Sequence, residues 1–169
     1  MIRLPRTTVV VAAIGAVALL SVPTREWMFV RIVYNASNSA PQGWYVISPK
    51  QNVRREDYVL ARLPESAEAL ADARGYLPAG VPVLKRVAAS AGQSVCMRAG
   101  VAIVDGMVVG EALAGDGRGR QLRAWKDCRQ LGDEFFLIGD GSPASFDSRY
   151  FGPVPRASIM GRATPLWTW

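Results

Sequence analysis

The sequence predicts a mostly β protein in which one antiparallel β domain follows a single N-terminal transmembrane helix. Two observations predict this fold class: an uncharged apolar stretch lies near the N-terminus, and short β-branched and aromatic runs separated by Gly, Pro, Asn and Asp fill most of the remaining chain. A length of 169 residues suffices for one domain with a sizeable core. We therefore expect a membrane segment at residues 1–24 and a β domain at residues 25–169.

The N-terminal segment has the features of an uncleaved signal-anchor. Thr7–Thr24 contains no charged residue, and its length is at the short end of the roughly 20 residues that a membrane-spanning helix needs. A cleaved signal peptide is the alternative, but Pro23 and the charged residues after it do not make a small-x-small cleavage site. Because Arg3 and Arg6 precede the stretch, the positive-inside rule predicts that the β domain lies outside the cytoplasm.

The β domain contains several segments with strand patterns. Val101–Val109 is the clearest hairpin, because Asp105 and Gly106 stand between two apolar runs and call for a type I′ turn. Pro82 stands near the start of another strand, where proline is tolerated. The predicted strand segments are Met28–Tyr34, Gly43–Ile47, Asp57–Leu63, Val81–Ala88, Val101–Val109, Glu134–Ile138 and Ile159–Leu166.

One helix is predicted in the middle of the chain. Pro64–Arg74 combines alanine and leucine at helical spacing, Ser66 is a candidate N-cap, and Gly75 is well placed to end the helix. The run Gly115–Gly119 predicts a flexible loop. With one helix among many strands, we expect a mostly antiparallel β domain.

The composition excludes several kinds of chemistry. The chain contains no histidine, which removes Ser/His/Asp and Cys/His mechanisms, and two cysteines alone make a poor zinc site. We therefore expect no metal and no other cofactor. The net charge of +6 fits a basic surface near a membrane. Nucleic acid is not expected as a partner, because basic and aromatic residues do not interleave on one recognisable platform.

The two cysteines, Cys96 and Cys128, predict a disulfide bond in an exported domain, where such pairs are oxidised. The alternative is two buried free thiols. A bond across this separation would stabilise the domain by about 3–4 kcal/mol in the chain-entropy model.

Lys85 is the candidate general base. Alternate residues of a strand share a face, so Lys85 lies between Val83 and Val87 on one side of its strand. If that face is buried, desolvation lowers the pKa of the lysine. A change from about 10.4 to about 7.5 corresponds to roughly 4 kcal/mol and brings the amine into the range of a general base. The alternative is a surface lysine on an edge strand.

The candidate nucleophile lies in the loop at residues 35–45. Ser37 and Ser39 stand two residues apart between two predicted strands, and loops on rigid scaffolds often carry nucleophiles. A serine hydroxyl needs a base, and in a chain without histidine a lysine is the remaining candidate. The alternative is turn chemistry, in which Asn and Ser side chains bond to their own backbone.

The third candidate segment, residues 139–152, is rich in Gly, Ser and Asp and follows a predicted strand. Asp147 and Arg149 are expected to pair and stiffen this loop, which limits how strongly the carboxylate raises the pKa of Lys85. Ser145 is a candidate to hydrogen-bond the neutral amine and orient it. The alternative is an ordinary ion-paired turn.

Together, these three segments resemble the signatures of the type I signal peptidases, and more closely those of the conjugative-transfer signal peptidases of the TraF type. The first signature is a Ser-x-Ser turn followed by Pro and Gly, here residues 37–43. The second is the lysine strand, here residues 84–87, and the third is the Gly-Asp…Asp-Ser-Arg-Tyr-Phe-Gly block within residues 139–152. The resemblance covers nearly the whole chain after the N-terminal segment.

The resemblance implies a serine endopeptidase with the β-rich signal-peptidase fold, which self-cleaving repressors share. It implies that Ser39 is the nucleophile and Lys85 the general base, and that the Ser39 backbone N–H and the Ser37 hydroxyl form the oxyanion hole. Ala40 stands where general leader peptidases usually carry methionine, and this departure favours the specialised TraF-type branch.

The same resemblance implies supporting roles for the remaining candidate residues. Ser145 would orient Lys85, while Asp147 and Arg149 would hold the wall of the site. The region of Cys96 and Cys128 would form an accessory hairpin in place of the larger inserted domain of the bigger leader peptidases.

For the specialised branch, the implied substrate is an exported membrane protein, the pilin precursor of a conjugation apparatus. Water resolves the acyl-enzyme, or, in some members, the pilin's own N-terminus attacks it and gives a cyclic subunit. The implied location is the bacterial inner membrane, with the catalytic domain in the periplasm in contact with membrane lipid and the conjugation machinery. Two other functions compete: a general type I signal peptidase of broad specificity, and a non-enzymatic periplasmic assembly factor of the same fold.

Overall fold

The computed structural model describes residues 31–169, which form two antiparallel β-sheets and two short helices. The prediction of a mostly antiparallel β domain is therefore confirmed. The strands are β1 (Arg31–Asn35), β2 (Gly43–Ser48), β3 (Tyr58–Ala61), β4 (Val83–Ala89), β5 (Ser94–Arg98), β6 (Val101–Val104), β7 (Met107–Glu111), β8 (Cys128–Gln130), β9 (Glu134–Ile138), β10 (Val154–Pro155) and β11 (Ile159–Thr168). The helices are α1 (Glu65–Ala73) and α2 (Ser148–Phe151).

The N-terminal segment is not part of this description. The signal-anchor predicted at residues 1–24 lies outside the described residues, as do residues 28–30 of the strand predicted from Met28. None of the helices within residues 31–169 is long and apolar enough to cross a membrane.

The larger sheet has seven strands in the order β1-β2-β11-β3-β4-β9-β10, with β4 in its interior. Lys85 on β4 lies opposite Val59 of β3, and Val87 lies opposite Leu137 of β9. Because β4 is hydrogen-bonded to a neighbour on each side, Lys85 lies on an interior strand. The alternative of an edge-strand lysine at the surface is therefore wrong.

The smaller sheet has four strands in the order β7-β6-β5-β8. Its β6–β7 hairpin turns at Asp105 and Gly106, whose φ angles of 49° and 82° are those of the predicted type I′ turn. Cys96 of β5 pairs with Cys128 of β8, and their sulfur atoms form a disulfide bond, so the alternative of two free thiols is wrong. Strands β5 and β8 were not predicted.

The core consists of three groups of buried apolar side chains, two against the larger sheet and one where the smaller sheet packs on β4 and β9. The first sheet group contains Ala40, Tyr45, Ile47, Leu60, Leu84 and Ala163. The second contains Val53, Val59, Ala61, Val87, Phe135, Leu137, Val154 and Ile159. The group between the sheets contains Ala88, Ala89, Val95, Met97, Ala102, Val104, Leu131, Phe136 and Ile138.

Helix α1 differs from its prediction at the N-terminus. The N-cap is Pro64, whose backbone is extended, and no side chain caps the helix. The prediction of Ser66 as N-cap is wrong because Pro64, with φ near −56°, already starts the helix two residues earlier. Gly75 follows the helix with φ +67°, a conformation that glycine adopts without strain, and ends the helix as predicted.

Candidate active site

A turn between β1 and β2, residues 36–42, carries the candidate nucleophile, and Asn35 organises it. The Asn35 side chain is 7% exposed, and its amide donates to three carbonyl oxygens of the turn at 3.0–3.1 Å. Its Oδ1 accepts from the Ser37 backbone N–H at 3.2 Å and from the Ser37 hydroxyl at 2.9 Å. The turn chemistry considered as an alternative is thus present, and its effect is to hold Ser39 in place. Asn35 was not among the predicted site residues.

Ser39 lies at the point where this turn approaches β4. Its Oγ is 2.8 Å from the Ser37 Oγ and donates to the Leu84 carbonyl oxygen at 3.3 Å. Among residues 31–169, no hydrogen bond involves the Ser39 backbone N–H as donor. Both groups of the expected oxyanion hole, this N–H and the Ser37 hydroxyl, are therefore beside the Ser39 Oγ, although the Ser37 hydroxyl donates to Asn35 in this arrangement and must rotate to donate to an oxyanion.

Lys85 is almost completely buried, with 4% of its surface exposed. Its Nζ donates to the Ser145 Oγ at 2.5 Å. Burial lowers the pKa of Lys85 to about 8; the negative charge of Asp147 opposes this effect, and the positive charge of Arg149 supports it. About a tenth of the amine is therefore neutral at pH 7, and about half at pH 8, and this form is able to accept a proton.

Ser39 and Lys85 line the same cavity, of about 590 Å³, which we call the cleft. In this arrangement the Ser39 hydroxyl bonds to the carbonyl of Leu84, the residue that precedes the lysine, and not to the amine. Hydrogen bonds of a catalytic pair are often incomplete without substrate. A rotation of the Ser39 side chain about χ1 redirects its hydroxyl without a change in the backbone.

The glycines at 139 and 141 let the third segment pack directly against the nucleophile turn. A Cβ on Gly139 would overlap the Ser145 side chain and lie 3.0 Å from the Ser39 Cβ. A Cβ on Gly141 would overlap the Asn38 carbonyl oxygen. These glycines are therefore required by the close approach of two backbones, a use of glycine that does not depend on unusual φ angles. Gly139 belongs to the Gly-Asp motif, but the sequence alone does not indicate this role for it.

Asp147 and Arg149 form a buried ion pair that stiffens the same segment. Arg149 donates to Asp147 from Nε at 2.8 Å and from Nη2 at 2.7 Å, and the two side chains are 3% and 0% exposed. Asp147 also accepts from the Gly139 N–H at 2.9 Å, while Arg149 donates to the carbonyl oxygens of Ser145 and Glu111. The pair thus fixes Ser145 relative to β9 and to the smaller sheet.

A second ion pair holds the start of this segment against β3 and β4. Arg86 Nε lies 2.7 Å from Asp140 Oδ2, and the Tyr58 hydroxyl donates to the same oxygen at 3.3 Å. Burial and the charge of Asp140 raise the pKa of Tyr58 to about 12, so the phenol keeps its proton. Arg86 and Asp140 stood next to Lys85 and Gly139 in the two motifs, but the sequence alone did not show that they meet.

A second cavity, of about 550 Å³, lies on the other side of the nucleophile turn. Its lining includes Asn38, Gln42, Tyr58, Asp140 and Trp169, and Asn38 lines the cleft as well. The turn that carries Ser39 therefore contributes residues to the linings of both cavities.

Comparisons of the sequence with known proteins show what the chain is similar to. The sequence model of the family described as signal peptidase, peptidase S26, matches residues 4–169. A plasmid transfer protein TraF of Escherichia coli is 35% identical over the full length of both chains. A probable conjugal transfer protein TraF of Sinorhizobium fredii is 34% identical, covering 96% of this chain and 87% of the relative. A signal peptidase I of Enterococcus faecalis, known from its crystal structure, is 22% identical with a TM-score of 0.42, over 68% of this chain and 99% of that one.

Proposed function

The chain belongs to the signal peptidase family, peptidase S26, and on this premise we propose that it is a membrane-bound serine endopeptidase in which Ser39 is the nucleophile and Lys85 the general base. The observation that carries the proposal is the buried Lys85 amine, with its pKa lowered to about 8 and its hydrogen bond to Ser145, in the cleft that Ser39 lines. Burying a lysine without a carboxylate partner lowers the stability of the fold. Such residues with shifted pKa values are found preferentially at functional sites, where the shift serves the chemistry.

In the first half of the reaction, the Ser39 Oγ attacks the scissile carbonyl carbon while the neutral Lys85 amine takes the hydroxyl proton. The negative charge that develops on the carbonyl oxygen is stabilised by the Ser39 backbone N–H and the Ser37 hydroxyl. Ser145 keeps the lysine amine directed towards the reacting groups, because the short contact between their side chains limits its rotation.

Collapse of the tetrahedral intermediate breaks the C–N bond, and the Lys85 ammonium gives its proton to the leaving amine. The product is an ester between Ser39 and the acyl part of the substrate. Lys85, neutral again, then takes a proton from the second nucleophile, either water or an amine, and returns it to the Ser39 oxygen as the ester is broken. Water gives a carboxylate and an amine gives a new amide.

The proposed substrate is the exported precursor of the pilin of a conjugative transfer system. Support comes from the similarity over the full chain to proteins described as plasmid or conjugal transfer proteins. Since an amine as second nucleophile needs room on the leaving side of Ser39, the second cavity is compatible with cyclisation of the pilin as well as with hydrolysis.

We place the enzyme at the inner membrane, anchored by residues 1–24, with residues 25–169 in the periplasm. Four aromatic side chains on the outer face of β1, β2 and β11 support this location; we call them the aromatic surface. Tyr34 lies 5.1 Å from Trp44 and 6.2 Å from Trp169, and Trp167 lies 6.1 Å from Trp169, measured between ring centroids. These side chains are 43–70% exposed, and Trp and Tyr are enriched at membrane–water interfaces.

The test is mass spectrometry of a pilin precursor incubated in detergent with the full-length protein, beside the variants Ser39→Ala and Lys85→Ala. We expect the wild type to truncate the precursor and both variants to leave it intact. The product mass distinguishes a linear chain from a cyclic one, which is lighter by one water. Cleavage by Ser39→Ala would show that another residue is the nucleophile.

Two further outcomes separate the competing functions. Cleavage of unrelated exported preproteins at a similar rate would support a general signal peptidase instead. A Ser39→Ala protein that restores conjugation in full to a deletion strain would support a non-enzymatic assembly factor.

A further inference from the structure

Part of the cleft wall comes from a segment that takes no part in the proposed chemistry. Residues 112–122, which we call the strap, connect β7 to the segment before β8 and contribute Asp116, Gly117 and Leu122 to the lining of the cleft. The loop predicted at Gly115–Gly119 lies within the strap. It is closed by hydrogen bonds from the Asp116 N–H to the Arg120 carbonyl oxygen and from the Gly119 N–H to the Asp116 carbonyl oxygen, each at 2.9 Å.

The Asp116 side chain stabilises the strap by hydrogen bonds to residues within it and to Tyr76. Its side chain is 6% exposed and accepts hydrogen bonds from the Tyr76 hydroxyl, from the Arg120 Nε at 2.7 Å, and from the backbone N–H groups of Arg118 and Arg120 at 2.9 Å. The hydrogen bond from Tyr76, together with those from the strap, holds the pKa of Asp116 well below its usual range. The carboxylate is therefore charged at any pH at which the protein works.

The strap is also fixed to the segment that follows α1. Arg74 donates to the Gln121 carbonyl oxygen at 2.9 Å, and Arg120 donates to the Arg74 carbonyl oxygen at 3.1 Å. Arg74 lies 3.7 Å from the Asp116 carboxylate, and the Arg120 guanidinium lies 5.5 Å from the centre of the Tyr76 ring. One carboxylate, two guanidinium groups and a phenol thus join the smaller sheet to α1 across one side of the cleft.

The position of the strap is set relative to the catalytic residues through aromatic contacts. The Tyr76 ring lies 5.5 Å from the Phe146 ring, and Phe146 directly follows Ser145, which bonds to Lys85. At the other end of the strap, the Leu113 N–H donates to the Tyr150 hydroxyl at 2.9 Å. The wall is therefore held at a fixed place beside the reacting groups.

The apolar side chains that line the cleft indicate what kind of ligand it suits. Leu122 of the strap lines the cleft together with Leu60, Leu63, Leu77, Val81 and Val83. Asp116 is the only carboxylate among the described residues that line the cleft, and it is already bonded to Arg120, so the apolar lining makes this part of the cleft suited to apolar side chains.

We propose that the strap, held to α1 by Asp116 and Tyr76, is a substrate-specificity wall that contacts an extended apolar segment of the substrate away from the scissile bond. The proposal rests on the peptidase function proposed above, because it assigns the occupant of the same cleft. In this scheme Asp116 and Tyr76 hold the strap in position, and both side chains also line the cleft.

The first experiment measures binding without catalysis. A fluorescent peptide of about 12 residues, roughly 40 Å when extended, carries Ala, Val and Leu in its middle and Lys at both ends. Its anisotropy is followed on full-length protein in detergent in the Ser39→Ala background. We expect Asp116→Asn to raise the Kd by about tenfold and Tyr76→Phe by about threefold.

The control is Asp105→Asn in the β6–β7 turn. Like Asp116, Asp105 is a carboxylate that accepts hydrogen bonds from neighbouring residues, here Gln93 and Ser94, but it does not line the cleft. We expect this variant to leave the Kd unchanged.

The second experiment separates this role from a general loss of structure. Turnover of the p-nitrophenyl ester of N-acetyl-alanine, which is too short to reach the strap, is measured in proteins that retain Ser39. We expect the loss of peptide affinity in Asp116→Asn to exceed the loss of ester kcat/KM by at least about fivefold. A peptide Kd within twofold of the parent, or equal losses for peptide and ester, would overturn the proposal. Absence of Ser39-dependent ester turnover in the wild type would instead count against the peptidase function, while the binding result would still decide the role of the strap.

Discussion

At the scale of single residues, Lys85 decides whether the proposed chemistry is possible at neutral pH. An ammonium cannot accept the Ser39 proton, so the active form is the neutral amine. Burial is the main cause that lowers its pKa to about 8, and it outweighs the opposing charge of Asp147 because that carboxylate is already bonded to Arg149. The Asp147–Arg149 pair therefore helps to keep the pKa of Lys85 low, because it limits how far Asp147 raises that pKa.

The first prediction is a pH dependence of kcat/KM governed by Lys85. Since protonation removes the base, activity should be low near pH 6, rise about tenfold per pH unit below the pKa, and level off above about pH 8. Initial rates on the short ester or a precursor peptide between pH 6 and 10 test this. A rate that stays constant across pH 6–9 would mean that Lys85 is not the base.

The second prediction concerns Gly139. Because a Cβ there would overlap Ser145 and approach the Ser39 Cβ to 3.0 Å, Gly139→Ala should displace Ser145 or Ser39 and lower kcat by about 100-fold or more. Gly132→Ala is the matched control, since a Cβ at Gly132 meets no atom within 4 Å and should leave kcat unchanged. Equal activity of the two variants would contradict the close approach of the two segments.

At the scale of elements, the sequence predicted most of the strands and missed β5, β8 and β10. Glu134–Ile138 was predicted with the observed bounds, because it is an apolar run between turn residues. Strand β8 was missed because all three of its residues are exposed and it is held by pairing to β5 and by the disulfide bond, which no periodicity reveals. Helix α2 was missed because four residues carry no helical pattern.

For the candidate site, too, the sequence predicted some features and missed others. The burial of Lys85 was predicted as one of two alternatives, since strand alternation cannot say which strand lies at the edge of a sheet. The pairing of Asp147 with Arg149 was predicted because the two residues are close in sequence. The Arg86–Asp140 pair was missed because it joins two segments that only the folded chain brings together. Asn35 was missed although its contacts are local, because turn chemistry was considered only as an alternative to a catalytic role and no role was given to the asparagine.

The third prediction concerns the disulfide bond, which closes β8 onto β5 across a separation of 32 residues. The double variant Cys96→Ala/Cys128→Ala should lower the free energy of unfolding by about 3–4 kcal/mol in the chain-entropy model. Urea unfolding followed by circular dichroism measures this change. A loss below about 1 kcal/mol would show that hydrogen bonds and packing already hold β8 in place.

At the scale of the whole molecule, the position of the nucleophile turn relative to the aromatic surface links the fold to a membrane-bound substrate. The Trp169 N–H donates to the Gln42 carbonyl oxygen at 3.1 Å, so the end of β11 lies directly beside the turn that carries Ser39. If the aromatic surface lies in the lipid headgroups, the cleft opens close to the place where a precursor leaves the bilayer.

The fourth prediction tests this orientation with full-length protein in vesicles that contain brominated lipids. A variant that keeps Trp169 as its single tryptophan should be strongly quenched. A variant that keeps only Trp125, which packs against Phe136 near the smaller sheet, should be quenched little. Equal quenching of the two variants would contradict the proposed orientation of the catalytic domain.

The most direct test of the central claim is to locate the acyl group on the enzyme. Wild-type protein is mixed with the p-nitrophenyl ester of N-acetyl-alanine, quenched with acid during turnover, and analysed by tandem mass spectrometry of its peptides. We expect one acyl group, attached to Ser39, in the wild type and no acylation in Lys85→Ala. An acyl group on any other residue, or undiminished acylation of Ser39 in Lys85→Ala, would contradict the Ser39–Lys85 mechanism.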